Sequence, residues 1–167
     1  MFIQKVVQRQ EEMIIRENIN IDDINNYGFV FHNYDSSIIV HGDDEHNIEV
    51  LESYVSSLIQ IPNQRLVSDI DIINKGEEIK LHLHVTTGSF QVVVWVPDYE
   101  YEGRYFMYGT PNKIEKVQPK LGMMCFMKTN DSNFVHGVSK LLSDQPVKSY
   151  GISSIVYDLS KINDVFI

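Results

Sequence analysis

From about residue 65 onward the chain is written in short period-two stretches separated by turn chemistry, and no other feature limits its fold as much. Alternating apolar and polar side chains mark a half-buried strand, because successive side chains leave opposite faces. The stretches are 66–73, 79–86, 90–97, 104–109, 112–118, 122–127, 134–138 and 149–157. Asn74-Lys75-Gly76, Thr110-Pro111-Asn112 and Thr129-Asn130-Asp131-Ser132 place turn residues between them. Many short strands at this spacing predict a mainly β sandwich or jelly roll rather than alternating β-α units.

The first third reads differently. Phe2, Val6, Val7, Met13 and Ile14 among charged residues suggest an imperfect helix over 1–18. Gly28-Phe29-Val30-Phe31 and Ile38-Ile39-Val40, separated by Asn33-Tyr34-Asp35-Ser36, predict a hairpin over 27–42. The best helix spans about 44–60, where Ile48, Leu51, Tyr54, Val55, Leu58 and Ile59 recur at helical spacing. Asp43 or Asp44 caps its start and Pro62 closes it. No repeat or linker divides the chain. Residues 1–167 are therefore expected to form one domain, with 1–64 as a supporting segment and 65–160 as the β core. The helices would pack on the outside of one sheet.

Charge and composition exclude several functions. The net charge of −9, from 23 acidic and 14 basic residues, argues against a nucleic-acid binder, which needs clustered Lys and Arg. No apolar run approaches the ~18 residues of a membrane span. Met1-Phe2-Ile3-Gln4-Lys5 does not read as a secretion signal. The single cysteine, Cys125, excludes an internal disulfide framework and a thiol zinc ribbon, and in its apolar strand it reads as a buried small hydrophobe. A soluble, cytoplasmic protein is expected. A Gly-rich phosphate loop, a nucleophile elbow and a helical zinc-protease motif are all missing.

Three of the six histidines stand out. His82 and His84 are two apart on a predicted strand, so both leave one face together with Lys80. The opposite face would be the apolar row Ile79, Leu81, Leu83 and Val85. Two readings fit the pair alone: exposed histidines on an outer strand, or half of a metal site, since imidazole suits Fe, Zn, Ni and Cu. His136 follows in Phe134-Val135-His136-Gly137-Val138, and Lys148 lies twelve residues beyond it. The ordered set is much less expected by chance than either member.

This order resembles the double-stranded β-helix core of iron(II)- and 2-oxoglutarate-dependent oxygenases. The matching pieces are His82-Leu83-His84, Phe90-Gln91-Val92-Val93-Val94-Trp95-Val96-Pro97 and Glu102-Gly103-Arg104-Tyr105-Phe106. They continue with Pro119-Lys120-Leu121-Gly122-Met123-Met124-Cys125-Phe126, Phe134-Val135-His136-Gly137-Val138 and Lys148, about half the chain in all. The resemblance implies a jelly-roll, cupin-like barrel. It also implies Fe(II) as cofactor, 2-oxoglutarate as cosubstrate, molecular oxygen, and a small-molecule or peptide substrate. His82 and His136 correspond to the family's two histidines, and Lys148 to the cation gripping the remote carboxylate of 2-oxoglutarate, with Tyr150 in phase beside it. No catalytic side chain beyond the metal ligands is implied.

The family's carboxylate ligand is replaced by His84. Three reconciliations follow: a working three-histidine iron centre, which we favour; a carboxylate entering from Asp98, Glu100, Glu102 or Asp131; or lost oxygenase chemistry. A second resemblance is to cupins, because Gly76, five residues and His82-Leu83-His84 match the opening of their metal motif. Their following glutamate and compact second motif are absent. This leaves two alternatives: a 2-oxoglutarate-independent three-histidine metalloenzyme and a non-catalytic jelly-roll binding protein. Arg104, Tyr108 and Ser154 are further candidates for substrate or oxoacid contact, Arg104 being equally readable as an edge charge paired with Glu102 or Asp98. Trp95, Tyr105 and Phe134 are expected to pack, and Tyr99-Glu100-Tyr101-Glu102 to form a solvated loop or a substrate cover.

Overall fold

A computed structural model describes residues 13–156. Its elements are α1 (Ile21–Tyr27), β1 (Phe29–Asn33), a 3-10 turn (Ser36–Ile38), α2 (Asp44–Leu58), β2 (Gln64–Ile73), β3 (Ile79–His82), β4 (Phe90–Trp95), β5 (Phe106–Thr110), β6 (Lys113–Val117), β7 (Met123–Lys128), β8 (Val135–Val138) and β9 (Val147–Val156). Every strand from β2 onward overlaps a stretch predicted from alternation. The strands form two antiparallel sheets, one in the order β1-β7-β4-β9-β2 and the other in the order β3-β8-β5-β6. This is the mainly β, double-stranded β-helix architecture expected.

The larger sheet has two distinct faces because β4, β7 and β9 alternate. Val92, Val94, Met124, Phe126, Tyr150 and Ile152 point outward and meet Leu51 and Val55 of α2 and Ile24 of α1. Trp95, Cys125 and Met127 point inward with Phe29 and Phe31, against Phe106 and Tyr108 of the smaller sheet. The helices therefore brace one sheet from outside. Asp43 caps α2 by accepting a hydrogen bond from the His46 N–H at 3.1 Å, satisfying one free donor of the first turn. Among the described residues, no helix is long and apolar enough to cross a membrane.

Three local expectations change. The expected helix over 1–18 falls mostly outside the described residues, and at its described end Ile15 instead forms a parallel bridge with Phe31. The hairpin over 27–42 does not form: β1 pairs with β7 (Phe29 opposite Met127), and residues 36–38 are a 3-10 turn capped by Asp35. A long-range partner that buries Phe29 and Phe31 between sheets outcompetes the local turn. Finally, α1 was not foreseen. It is short, capped by Asn20 and ended by Gly28 at φ 81°, where an added Cβ would also strike the Phe134 ring at 2.3 Å.

Replacing Asp43 by Ala should cost about 1 kcal/mol of stability. Leu51→Ala, which empties a fully buried site, should cost about 2–5 kcal/mol. Urea unfolding of each variant measures both losses.

Candidate metal centre

The histidine site begins with a fault in a strand. β3 pairs with β8 so that Ile79 faces Val138 and His82 faces His136, three residues on one strand against two on the other. That extra residue is a β-bulge, which shifts the phase of the strand. Ile79 and His82 consequently share the inward side, and both line one cavity. His82 and His84 share a face, as expected, and it is the inward one; of the opposite apolar row, Ile79 joins them inside while Leu81 is 45% and Val85 81% exposed. Gly137 makes the close approach possible, since a Cβ there would lie 2.6 Å from the Ile79 carbonyl oxygen and 3.1 Å from the Leu81 nitrogen.

His82, His84 and His136 converge, with ligand nitrogens all within 4.8 Å of one another. The His84 and His136 rings stack at 4.9 Å with 15° between planes, and the His82 ring is 4.5 Å from that of His136. His82 Nδ1 sits 2.7 Å from the Lys80 carbonyl oxygen. A carbonyl only accepts, so Nδ1 carries the proton and Nε2 offers its lone pair inward. That Nε2 is 3.2 Å from His84 Nε2, a spacing two nitrogens take when each lies about 2.1 Å from a shared ion. Burial, and then the neighbouring His82 and His84, push His136 down to about 3. Burial and His82 also lower His84, against a smaller opposing pull from Asp71. Both imidazoles are thus neutral and ready to ligate at physiological pH. The donor set fits a divalent transition metal.

The other histidines are accounted for structurally. His32 donates from Nδ1 to the Arg16 carbonyl and accepts from the Tyr54 hydroxyl. His46 bonds the Ile38 carbonyl, and His41 pairs with Asp98 at 3.5 Å. Among the described residues, no carboxylate joins the histidine cluster. Asp98 is engaged with His41 and Asp131 with Lys128, so the reconciliation through Asp98, Glu100, Glu102 or Asp131 does not hold.

The cavity around the histidines, about 270 Å³, is also lined by Arg104, Gln91, Ser149, Asp69 and Asp71. Arg104 precedes β5 rather than lying in it, at φ 52°, a strained conformation for a side-chain-bearing residue. Its N–H donates to the Lys140 carbonyl, and its side chain is only 2% exposed. Nη2 donates to Ser149 Oγ at 3.0 Å, while Nε and Nη1 have no hydrogen-bond partner. Burial lowers its pKa, whereas Tyr101, Asp71 and Tyr99 favour the cation. It forms no ion pair with Glu102 or Asp98, which removes the edge-charge reading.

Lys148 and Tyr150 are not in this cavity. They occupy the alternate positions of β9 and face α2, whereas Ser149 and Gly151 face the histidines. Lys148 Nζ binds Asp44 at 2.8 and 3.1 Å, the Tyr150 hydroxyl donates to the same carboxylate, and Asn47 donates to the Tyr150 oxygen. The hydrogen bonds from Lys148 and Tyr150 hold the Asp44 carboxyl below its usual range. Burial, aided by Asp44, raises Tyr150 to about 12. A spacing of twelve residues from His136 matched the family, but strand phase sent the ammonium to the other side of the sheet. Ser154 is also turned away, bonded to the Ser89 and Phe90 backbone. Tyr108 lies opposite His136 on β5 and packs against Phe29 and Phe31. The Tyr99–Glu102 segment is pinned, with Tyr99 bonded to Pro146 and Tyr101 to Pro119. Asp69, Asp71 and Gln91 were passed over in the sequence. The available signal was the phase of Val67, Asp69, Asp71 and Ile73 on one strand.

Fold and site together define a class: a double-stranded β-helix with an inward cluster of three histidines. Solved structures with the same fold are similar to this chain throughout most of its length. A prolyl-4-hydroxylase from Pseudomonas putida superposes with a TM-score of 0.58 at 12% identity, covering 83% of this chain and 93% of that one. A prolyl hydroxylase from Trichoplax adhaerens, solved with a hypoxia inducible factor oxygen degradation domain peptide fragment, gives 0.59 at 16%, covering 96% and 94%. An oxidoreductase of the 2OG-Fe(II) oxygenase family from Burkholderia pseudomallei gives 0.57 at 10%, covering 86% and 95%. No family model and no curated protein matches the sequence. The resemblance read in the sequence therefore holds at the level of the fold.

Two outcomes test the site. Gly137→Ala should push β3 from β8 and lower Co(II) affinity at least about tenfold, as should His84→Ala, while His84→Asp keeps most of it; titration followed by cobalt absorbance reads all three. Metal-free protein should lose stability as pH falls from about 6.5 toward 3, because only the unfolded state takes up the His136 proton in that window. Thermal melts in chelator should show that fall, and His136→Gln should flatten it.

Proposed function

We propose that this protein is a non-haem Fe(II)- and 2-oxoglutarate-dependent oxygenase acting on a small molecule or a protein side chain. One observation carries the reading: a buried guanidinium with unmet donors shares a small cavity with three converging imidazoles. A buried cation with unmet donors is costly to leave so, even with Asp71 nearby, and calls for an anion. In this reading His82, His84 and His136 hold the iron. Arg104 takes the role first assigned to Lys148 and grips the remote carboxylate of 2-oxoglutarate, with Ser149 steering its fork. Trp95, Phe106, Met127 and Val93 wall the cavity and exclude water. Iron bound there supplies the oxygen activation that couples decarboxylation of 2-oxoglutarate to oxidation of a substrate C–H bond. With imidazole in place of a carboxylate, the bare site is one unit more positive, which favours the dianionic cosubstrate.

The same donor set favours a second reading, a three-histidine metalloenzyme that uses no oxoacid. Succinate formation with Fe(II), oxygen and 2-oxoglutarate separates the two. Succinate is expected, and Arg104→Met should raise the half-saturating 2-oxoglutarate concentration about tenfold or more, whereas Lys148→Met should change it by less than about twofold. No oxoacid turnover, or insensitivity to Arg104, would transfer support to the second reading.

A further inference from the structure

We propose that the substrate presents a cation, an ammonium or guanidinium group, to Asp69 and Asp71 at the mouth of the histidine cavity. The inference rests on the oxygenase reading for which bond is oxidised, but not for the cation site itself. β2 runs antiparallel to β9 with Asp69 opposite Gly151 and Asp71 opposite Ser149. Ser149 and Gly151 face the histidines, so both carboxylates stand on that face. Asp69 leans inward over Gly151, where an added Cβ would lie 2.3 Å from its Oδ1. The glycine thus leaves the space that the carboxylate occupies. Neither carboxylate has a hydrogen bond or ion pair to another side chain among the described residues. Burial, and then the charge of Asp71, push Asp69 up, so the two acids repel each other on that face.

The rest of the cavity supplies the independent observation that a ligand belongs there. Gln91, 9% exposed, has an Oε1 with no partner, and Arg104 has two unmet donors. The cavity is therefore polarised: donors for an anion at Arg104, acceptors at Gln91, Asp69 and Asp71. With the oxoacid on Arg104, only acceptors remain for the second ligand. A neutral or anionic substrate covering the mouth would take water from two adjacent exposed carboxylates without replacing it by a positive charge, which is costly. A cation relieves their repulsion, and the −9 charge of the chain favours its approach.

The test is calorimetric titration of the full chain with Mn(II) and 2-oxoglutarate at low ionic strength. The probes are capped tripeptides centred on Lys, Arg, acetyl-lysine, Leu or Glu, and free 1,5-diaminopentane. Lysine or arginine peptides, or the free diamine, should bind about tenfold tighter than acetyl-lysine and leucine peptides. Preference for the diamine over the peptides assigns a small-molecule amine, and the reverse assigns a protein side chain. The double variant Asp69→Asn, Asp71→Asn should shrink the preference below about twofold. Gly151→Ala, which displaces Asp69 without removing a charge, should weaken it as well. Equal binding of all probes, no binding of any, or a preference that survives the double variant overturns the proposal. Metal content and oxoglutarate binding are read on the same samples. Their loss with cation selectivity intact would sink the oxygenase reading alone, and their retention without selectivity would sink only this one.

Discussion

The backbone of β3 lies against Gly137 of β8, closer than any side chain at that position would permit. This contact admits the bulge, the bulge sets His82 directly opposite His136, and His84 then stacks on His136. Much of what the site can do chemically depends on that approach. Three imidazoles held this close have little reason to cluster on stability grounds. They bury polar nitrogens, and their protonation would place like charges together. A shared cation would remove both penalties.

The larger sheet divides the work between its faces. Its outer face meets α2, and there Lys148, Tyr150, Asp44 and Asn47 form a polar tie between the helix start and β9. Its inner face carries Ser149, Gly151, Gln91 and the aromatic layer that encloses the cavity. Adjacent residues of one strand thus serve different ends, Lys148 fastening a helix and Ser149 orienting a buried arginine. The arginine is held by its backbone as well, in a positive-φ conformation just ahead of β5 with its N–H on Lys140. Strain of this kind persists where the surroundings over-determine it, and such places are concentrated at functional sites.

Strand positions, the capped helix α2 and the three clustered histidines were legible because each rests on local chemistry. Alternation marks strands, an Asp ahead of an amphipathic run marks a helix start, and imidazole is a ligand wherever it lies. Arg104 was legible as a candidate but not as the buried cation, since nothing near it in sequence signals burial. The grouping of His82 with His84, apart from Leu81 and Val85, was legible, but Ile79 was assigned to the wrong face because a bulge between it and His82 has no signature in alternation. The missed helix α1 had its signals in Asn20 and Gly28, but its seven residues are too few for a periodicity to stand out.

By itself, then, the amino-acid order determined where the chain is extended, where it is helical, and which residue types are available to hold a metal and an anion. The tertiary structure alone decided which cation shares a cavity with the imidazoles. Lys148 has the family spacing and Arg104 does not, yet strand phase and sheet register turn the lysine toward α2 and leave the arginine inside. Register is a property of two strands pairing across the chain, and a count of residues along one strand does not contain it.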